Sequence, residues 1–450
     1  MPISAVPKRR SPGHSDSPLP RLLAIGVTGF KSICANANIP LRPITLLAGA
    51  NSSGKSSFFQ PLLLLKQTLE SRQEPAGLLL SGPYITFSQV DQLFWNSCAS
   101  GMAPQFKLDL NVEEFEPISL TYERGDSTSP RLKARWGRVD LIEGTYPLQA
   151  DIREAYPHAF DSFEKANGTQ IPWLQTVTFE RSVPRVVVSP KTDDPNDADG
   201  YDVTPKSILR ACSVIESVIH VAGLRRPPQR EYPSTAAVSG KRFPGPFEAY
   251  TASLLKSWQS DPSRGKLVNV EKDLLALGLT SRIETQPIDD VSVELRVGRT
   301  LISSRGKGPD LVNIADVGLG VSQVLPVLVA LHVAAPNQIV ILEQPEIHLH
   351  PRAQLALAGA LVAAAKRGVL VVVETHSSHL LLAIQTAVAR CEIDPSKVSL
   401  NWFRRDDSGA TTVATAELQS DGSYGDWPED FGDVTLDAER EYLDATPTAP

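Results

Sequence analysis

The residues from Gly49 to Ser56, GANSSGKS, hold the most specific chemistry in the chain, a glycine at each end of the loop followed by a lysine and a hydroxyl. The spacing is Gly-x-x-x-x-Gly-Lys-Ser/Thr, the pattern of a phosphate loop. Glycine at 49 and 54 lets the backbone wrap closely, so that the amides of Ala50, Asn51, Ser52 and Ser53 turn inward. A helix opening at Lys55 adds the partial positive charge of its amino terminus. Lys55 is expected to reach the β- and γ-phosphates of ATP, Ser56 to ligate magnesium, and Ser57 to continue the cradle. The bland alternative is a glycine-rich structural turn. An apolar strand before the motif and a helix after it argue against that.

A second constellation lies in QIVILEQPEIHLHP, where Glu343 ends an apolar run. A carboxylate at the end of a buried strand can hold magnesium-bound water beside a phosphate loop. A purely structural glutamate there would need a cation of its own, because a buried unpaired carboxylate is costly. His348, His350, His376 and His379 raise the question of zinc, but the alternating His-Leu-His beside Pro351 lacks a ligand spacing.

LLAIGVTGFKSI and IPLRPITLLAG are two β-rich runs, the second ending at the loop. SSFFQPLLLLKQTLESRQ is a helix with Pro61 inside it, past the turn where phosphate docks. Residues 105–305 mix short strands with a helix around Lys206 to Ala222 and Pro-rich loops, without a heptad pattern. From Leu311 the order becomes helix, strand, helix, strand. Its strands QIVILE and VLVVVE are continuous apolar runs, as in parallel strands buried on both faces. The expected divisions are a tail over 1–20, a first core part over 21–104, a middle insertion or second lobe over 105–305, a second core part over 306–400, and a small acidic carboxy-terminal domain over 401–450.

Composition bounds the class. The chain has 450 residues, 42% hydrophobic and 21% charged, with net charge −7. That is ordinary for a globular protein and gives no global attraction to nucleic acid or to an acidic membrane. Cys34, Cys98, Cys212 and Cys391 form no CxxC pair, which fits a reducing, cytoplasmic setting. The first twenty residues lack an apolar h-region, and no apolar run reaches membrane-spanning length, so no membrane insertion is expected.

VGLGVSQVLPVL, ILEQPEIHLHP and VVVETHSSHLL, together with FKSI and LLAGANSSGKSS, resemble the ABC-type AAA ATPases related to the overcoming-lysogenization-defect and RecF proteins. DGSYGDWPEDFGD is similar to an uncharacterised carboxy-terminal domain of many members. The middle matches only loosely, through HVAGLRRPPQREY. The resemblance implies an α/β P-loop NTPase of the ABC-ATPase head type: a mixed sheet flanked by helices, with a middle insertion of strands and helices and no long coiled coil. It implies that Glu343 is the Walker B acid, that Leu349 to Pro351 begin a loop touching the opposite subunit, and that His376 senses the γ-phosphate. It puts the glutamine loop in YITFSQVDQLF, where Gln89 and Gln92 both fit as metal-facing residues.

Two positions depart from the family pattern. Gln344 stands where many members have a catalytic glutamate, and Gln cannot accept a proton. Hydrolysis is then slow or uses Glu346 to orient water, since general-base catalysis contributes about 10²- to 10⁴-fold. The signature loop appears as Gly318-Leu319-Gly320, with Ser322 close behind. A helix beginning near Val321 would still aim its amino terminus at phosphate, whereas the bland reading is a glycine turn capping an ordinary helix.

In the family, two ATP molecules lie between head-to-tail protomers. The implied function is therefore a nucleotide-gated homodimer in DNA maintenance or anti-phage defence, contacting nucleic acid and acting with a separate effector such as a nuclease. A transporter engine shares the ATP chemistry, but the strand-rich middle argues against it. A non-hydrolysing, ATP-dependent scaffold is kept open by Gln344.

Overall fold

The computed structural model describes residues 19–71, 77–97, 101–124, 131–137, 139–147, 149–155, 160, 173–190, 201–234, 241–299, 310–424 and 440–441. The amino-terminal tail before residue 19 and the acidic cluster from Asp426 to Asp433 lie outside them.

The site is carried by a six-stranded sheet. Its strands are β1 (Ile44–Gly49), β2 (Ile219–Val221), β3 (Ile339–Glu343), β4 (Leu370–Glu374), β5 (Val398–Arg405) and β6 (Thr411–Glu417), in the spatial order β2-β3-β4-β1-β5-β6. All neighbours are parallel except β5 and β6. The seven helices used below are α1 (Lys55–Glu70), α2 (Lys206–Ser217), α3 (Thr251–Ser260), α4 (Gly265–Ala276), α5 (Leu319–Val333), α6 (Pro351–Lys366) and α7 (Ser378–Ala389).

The apolar runs are continuous because both faces of this sheet are covered. Leu46, Ala48, Val340, Leu342, Val371 and Val373 pack with α5, α6 and α7 on one side. Leu47, Ile339, Ile341, Leu370 and Val372 face α1 on the other. Beyond α1 lies a second six-stranded sheet, antiparallel, which includes Leu22–Thr28, Gln105–Val112, Ile118–Glu123, Arg131–Trp136 and Val139–Leu141. Sandwiched between two sheets, α1 is buried almost all round, Lys66 included. The Lys66 ammonium donates to Glu70 and to the Glu216 carbonyl, partners that a buried charge requires. Among the described residues three smaller antiparallel sheets complete the strands, a two-stranded one pairing Asn96–Ser97 with Gly101–Met102, one over 144–202, and one over 232–313 that packs against α3.

The mixed α/β class expected from the sequence is the observed one. Among the described residues no helix exceeds 16 residues, so no long coiled coil is present in them. Nor is any of their helices long and apolar enough to cross a membrane. Three details differ from expectation. The helix expected around Lys206 to Ala222 ends at Ser217, and Ile219–Val221 leave it to pair with β3. There β-branched residues gain a buried ladder that the helix could not offer. IPLRPITLLAG divides at Leu41–Pro43, so that Ala37–Pro40 joins the antiparallel sheet and only Ile44–Gly49 joins the core. The boundary drawn at residue 400 falls inside β5, and β5 and β6 complete the core sheet.

Candidate phosphate-loop site

The carboxyl ends of β1, β3 and β4 meet here. β1 hands over to α1 through a loop with Gly49 at φ +140°, Ser52 at +61° and Gly54 at +102°. A Cβ at Gly49 would stand 2.2 Å from the Phe403 carbonyl oxygen, and one at Gly54 would stand 2.3 Å from Thr411 Oγ1. Both positions therefore need glycine for conformation and for space. Thr411 Oγ1 also donates to the Ser53 carbonyl at 2.8 Å, fixing the loop from β6. Lys55 Nζ lies over the loop, donating to the carbonyls of Gly49 at 3.0 Å and Ala50 at 2.7 Å. Burial lowers the Lys55 pKa, while Glu374 pulls the other way.

The acid against the phosphate-loop hydroxyl is Glu374, at the end of β4. Ser56 Oγ donates to its two carboxylate oxygens at 2.9 and 2.8 Å. Burial raises the Glu374 pKa, as does the charge of Glu343, against the lowering effect of the Ser56 bond. Glu343 is one strand further from β1, and its carboxylate is engaged from the β2 side. Its Oε1 pairs with His220 Nε2 at 2.8 Å and its Oε2 accepts from the Gly223 amide at 3.0 Å. Burial alone would raise the Glu343 pKa, but His220, Gly223 and Arg225 together bring it below the usual carboxylate value.

Glu346 comes back to the same end of the sheet. Its Oε1 accepts from Thr375 Oγ1 at 2.6 Å and from the His376 amide at 3.1 Å. Its Oε2 is buried without a hydrogen-bond partner. Gln344 is held in the left-handed region at φ +43°, its amide donating to the Glu374 carbonyl and its own carbonyl accepting from Arg225 Nη2 at 2.9 Å. Arg225 Nε and Nη1 are buried and unpartnered. His376 lies beside Gly49 and Lys55, and burial together with the Lys55 charge lowers its pKa, favouring the neutral ring. A cavity of about 430 Å³ opens here, lined by Asn51, Gln344, Glu346, His348, His376 and His379 among others.

The other sequence candidates stand apart. Gln92 Oε1 accepts from the amides of Ser88 and Gln89, capping the short turn Val90–Leu93, and both glutamines are exposed. Gly318 and Leu319 begin α5 at the surface, and Ser322 Oγ donates to the Leu319 carbonyl. Gly320 packs close to Leu279 and the His348 carbonyl. His350 caps α6 through Nδ1, and Pro351 takes its first turn.

Among the described residues no group of three or more His, Cys, Asp or Glu could hold a metal ion. The set that does converge, one serine hydroxyl and one carboxylate facing a phosphate loop, fits magnesium. That ion takes hard oxygen ligands and completes its shell with substrate phosphates and water.

Glu374, His220 and Arg225 were not singled out in the sequence. Glu374 carried a usable signal, because the two apolar parallel strands β3 and β4 both end in Glu and the register sets these side by side. His220 and Arg225 lie in HVAGLRRPPQREY, where no spacing marks them.

Residues 249–383 match the family model described as "AAA domain, putative AbiEii toxin, Type IV TA system". The matched stretch contains Gly318, Glu343 and His376 and excludes the phosphate loop. The chain is also similar to solved structures of SMC heads. One is an SMC head bound to the C-winged helix domain of ScpA, at 13% identity and TM-score 0.46, over 89% of this chain and 98% of that one. A second is the SMC head domain from Thermotoga maritima, at 11% and 0.41, over 88% and 100%. A third is an Smc head with a coiled coil and joint from Pyrococcus yayanosii, at 10% and 0.46, over 94% and 100%. No curated protein matches the chain.

Proposed function

We propose that the chain binds ATP with magnesium at Gly49–Ser56 and hydrolyses it slowly, as an ABC-type ATPase whose closed form is a head-to-tail homodimer. The observation that carries this reading is the convergence of Lys55, Ser56, Glu374, Glu346 and His376 at the carboxyl ends of β1, β3 and β4. The two loop carbonyls that hold Lys55 Nζ give way to phosphate oxygens, which make stronger, charge-assisted bonds. Ser56 and Glu374 would hold magnesium, which would neutralise phosphate charge. Gln344 cannot take a proton, so the free oxygen of Glu346 orients the attacking water, and His376 as a neutral ring donates to the γ-phosphate. Glu343, tied to His220 and Gly223, braces the neighbouring strand end.

The amino terminus of α5 supports the dimer. A Cβ at Gly318 would meet nothing within 4 Å, and Leu319 is 46% exposed, which leaves this end of α5 open to a second protomer's nucleotide. Contacts from both sides of one nucleotide would favour the closed pair, and loss of the γ-phosphate would release it. The family resemblance extends this to a switch in DNA maintenance or anti-phage defence with a separate effector such as a nuclease, in the cytoplasm. Light scattering of the full chain tests the switch. Dimers should form with Mg·ATP and disperse with Mg·ADP, and a mass that ignores nucleotide rejects the gate. Turnover with and without DNA tests the nucleic-acid role. No turnover under any condition would favour a scaffold that binds ATP without hydrolysing it, the reading that Gln344 supports.

A further inference from the structure

The edge strand β2 carries one polar side chain, His220, between the apolar Ile219 and Val221, and all three are buried. An imidazole is costly there, because its ring nitrogens need partners once water is gone. By register His220 lies opposite Ile341, which puts it on the face of the sheet that Ile341 and Glu343 share. The rings of Phe59 and Tyr84 flank it, with centroids 6.3 and 6.0 Å away. Tyr84 is anchored in turn by its hydroxyl, which donates to Glu70 Oε2 at 2.9 Å. The imidazole is thereby packed in place where its Nε2 meets Glu343 Oε1.

One turn joins Glu343 to Glu346. The Gln344 carbonyl accepts from the Ile347 amide, which closes the turn around Glu346, and also from Arg225 Nη2 at 2.9 Å. Gln344 stays in the left-handed region, which a non-glycine residue holds only under constraint from its surroundings. Arg225 is part of that constraint. Its Nε and Nη1 are buried without partners, so a carboxylate set loose beside it would compete for the guanidinium. His220 prevents this by engaging Glu343 Oε1 while the Gly223 amide takes Oε2.

We propose that His220 is a positioning residue for ATP hydrolysis: by holding Glu343 it leaves Arg225 to the Gln344 carbonyl, and so keeps Glu346 aimed at the attacking water. This rests on the hydrolysis proposed above and goes beyond it, by giving the edge strand control over turnover. Without His220 the Glu343 carboxylate turns to Arg225, whose planar guanidinium must rotate as a unit to meet it. The Gln344 carbonyl then loses its hold, the turn relaxes, and Glu346 drifts from the water.

The test is steady-state phosphate release and calorimetric ATP affinity of the full chain for His220→Leu, His220→Met and His220→Gln, with thermal unfolding run beside each. Leu and Met fill the space without a donor, whereas Gln keeps an N–H of similar reach. In both apolar variants kcat should fall about tenfold or more while ATP affinity stays within about threefold of wild type. His220→Gln should keep kcat within about threefold of wild type. A folded apolar variant with wild-type kcat overturns the proposal. So does a His220→Gln variant as slow as the apolar ones, or a loss of affinity that matches the loss of kcat, since a merely structural residue would give either. Should both apolar variants unfold, His220→Gln alone decides, and a loss of about tenfold in its kcat overturns the proposal. Wild-type protein that binds ATP and turns none over brings down the hydrolytic reading as well, whereas the preceding outcomes leave that reading intact.

Discussion

Two hollows of nearly equal size open on this molecule, about 430 Å³ at the phosphate loop and about 440 Å³ on the outer antiparallel sheet. In the outer one the charges are already matched. Lys133 pairs with Glu123 at 2.7 Å and Arg135 with Asp140 at 2.7 Å, all four half-exposed on neighbouring strands. At the phosphate loop the polar groups converge and stay partly unused. Glu346 Oε2 and two Arg225 nitrogens are buried without partners, and Gln344 holds a left-handed backbone beside them. Buried capacity of that kind costs stability unless a ligand takes it up. Volume therefore does not tell a site from a groove in this fold, whereas the convergence of a lysine, a serine hydroxyl and two carboxylates on one loop does.

The contrast can be broken from either side. Glu346→Gln should lower turnover by about 10²-fold while changing ATP affinity less than about threefold, read by steady-state phosphate release beside calorimetry. Full turnover in that variant would mean that Gln344 or another group orients the water. Arg225→Ala should have a smaller effect, losing about 1–3 kcal/mol of stability in urea unfolding through the orphaned Gln344 carbonyl. Its turnover should fall about tenfold as that turn slackens. A variant more stable than wild type would mean that the unpartnered guanidinium only burdens the fold. Lys133→Ala with Arg135→Ala should have the least effect, leaving the urea midpoint nearly where it was, because exposed ion pairs contribute little. ATP affinity should not move, and a clear loss would make the outer groove a second functional surface.

Much of this was legible in the sequence because the signals were local. The phosphate loop is a contiguous pattern whose glycines answer to single backbone angles and single contacts. The strands β3 and β4 announced themselves as unbroken apolar runs because helices cover one face and α1 the other. The order of the strands is a different matter, since it is set by pairing between segments hundreds of residues apart. Placing β4 between β3 and β1 is what brings Glu374, rather than Glu343, against Ser56. The short strand Ile219–Val221 was hidden for a similar reason, as three residues after a helix take their state from the edge they pair with. Gln89 and Gln92 show the converse, a motif position that the fold uses for a local cap.

If Lys55 and Ser56 grip a triphosphate, calorimetry of the full chain with ATP in magnesium will register it. Saturable binding of one nucleotide per chain is expected in the wild type and in the outer-groove double variant. In Lys55→Ala affinity should fall roughly 100-fold or more as the charged donor is lost. Folded wild-type protein that takes up no ATP, or a Lys55→Ala variant that binds it as well as the wild type, would rule out a triphosphate grip at this loop.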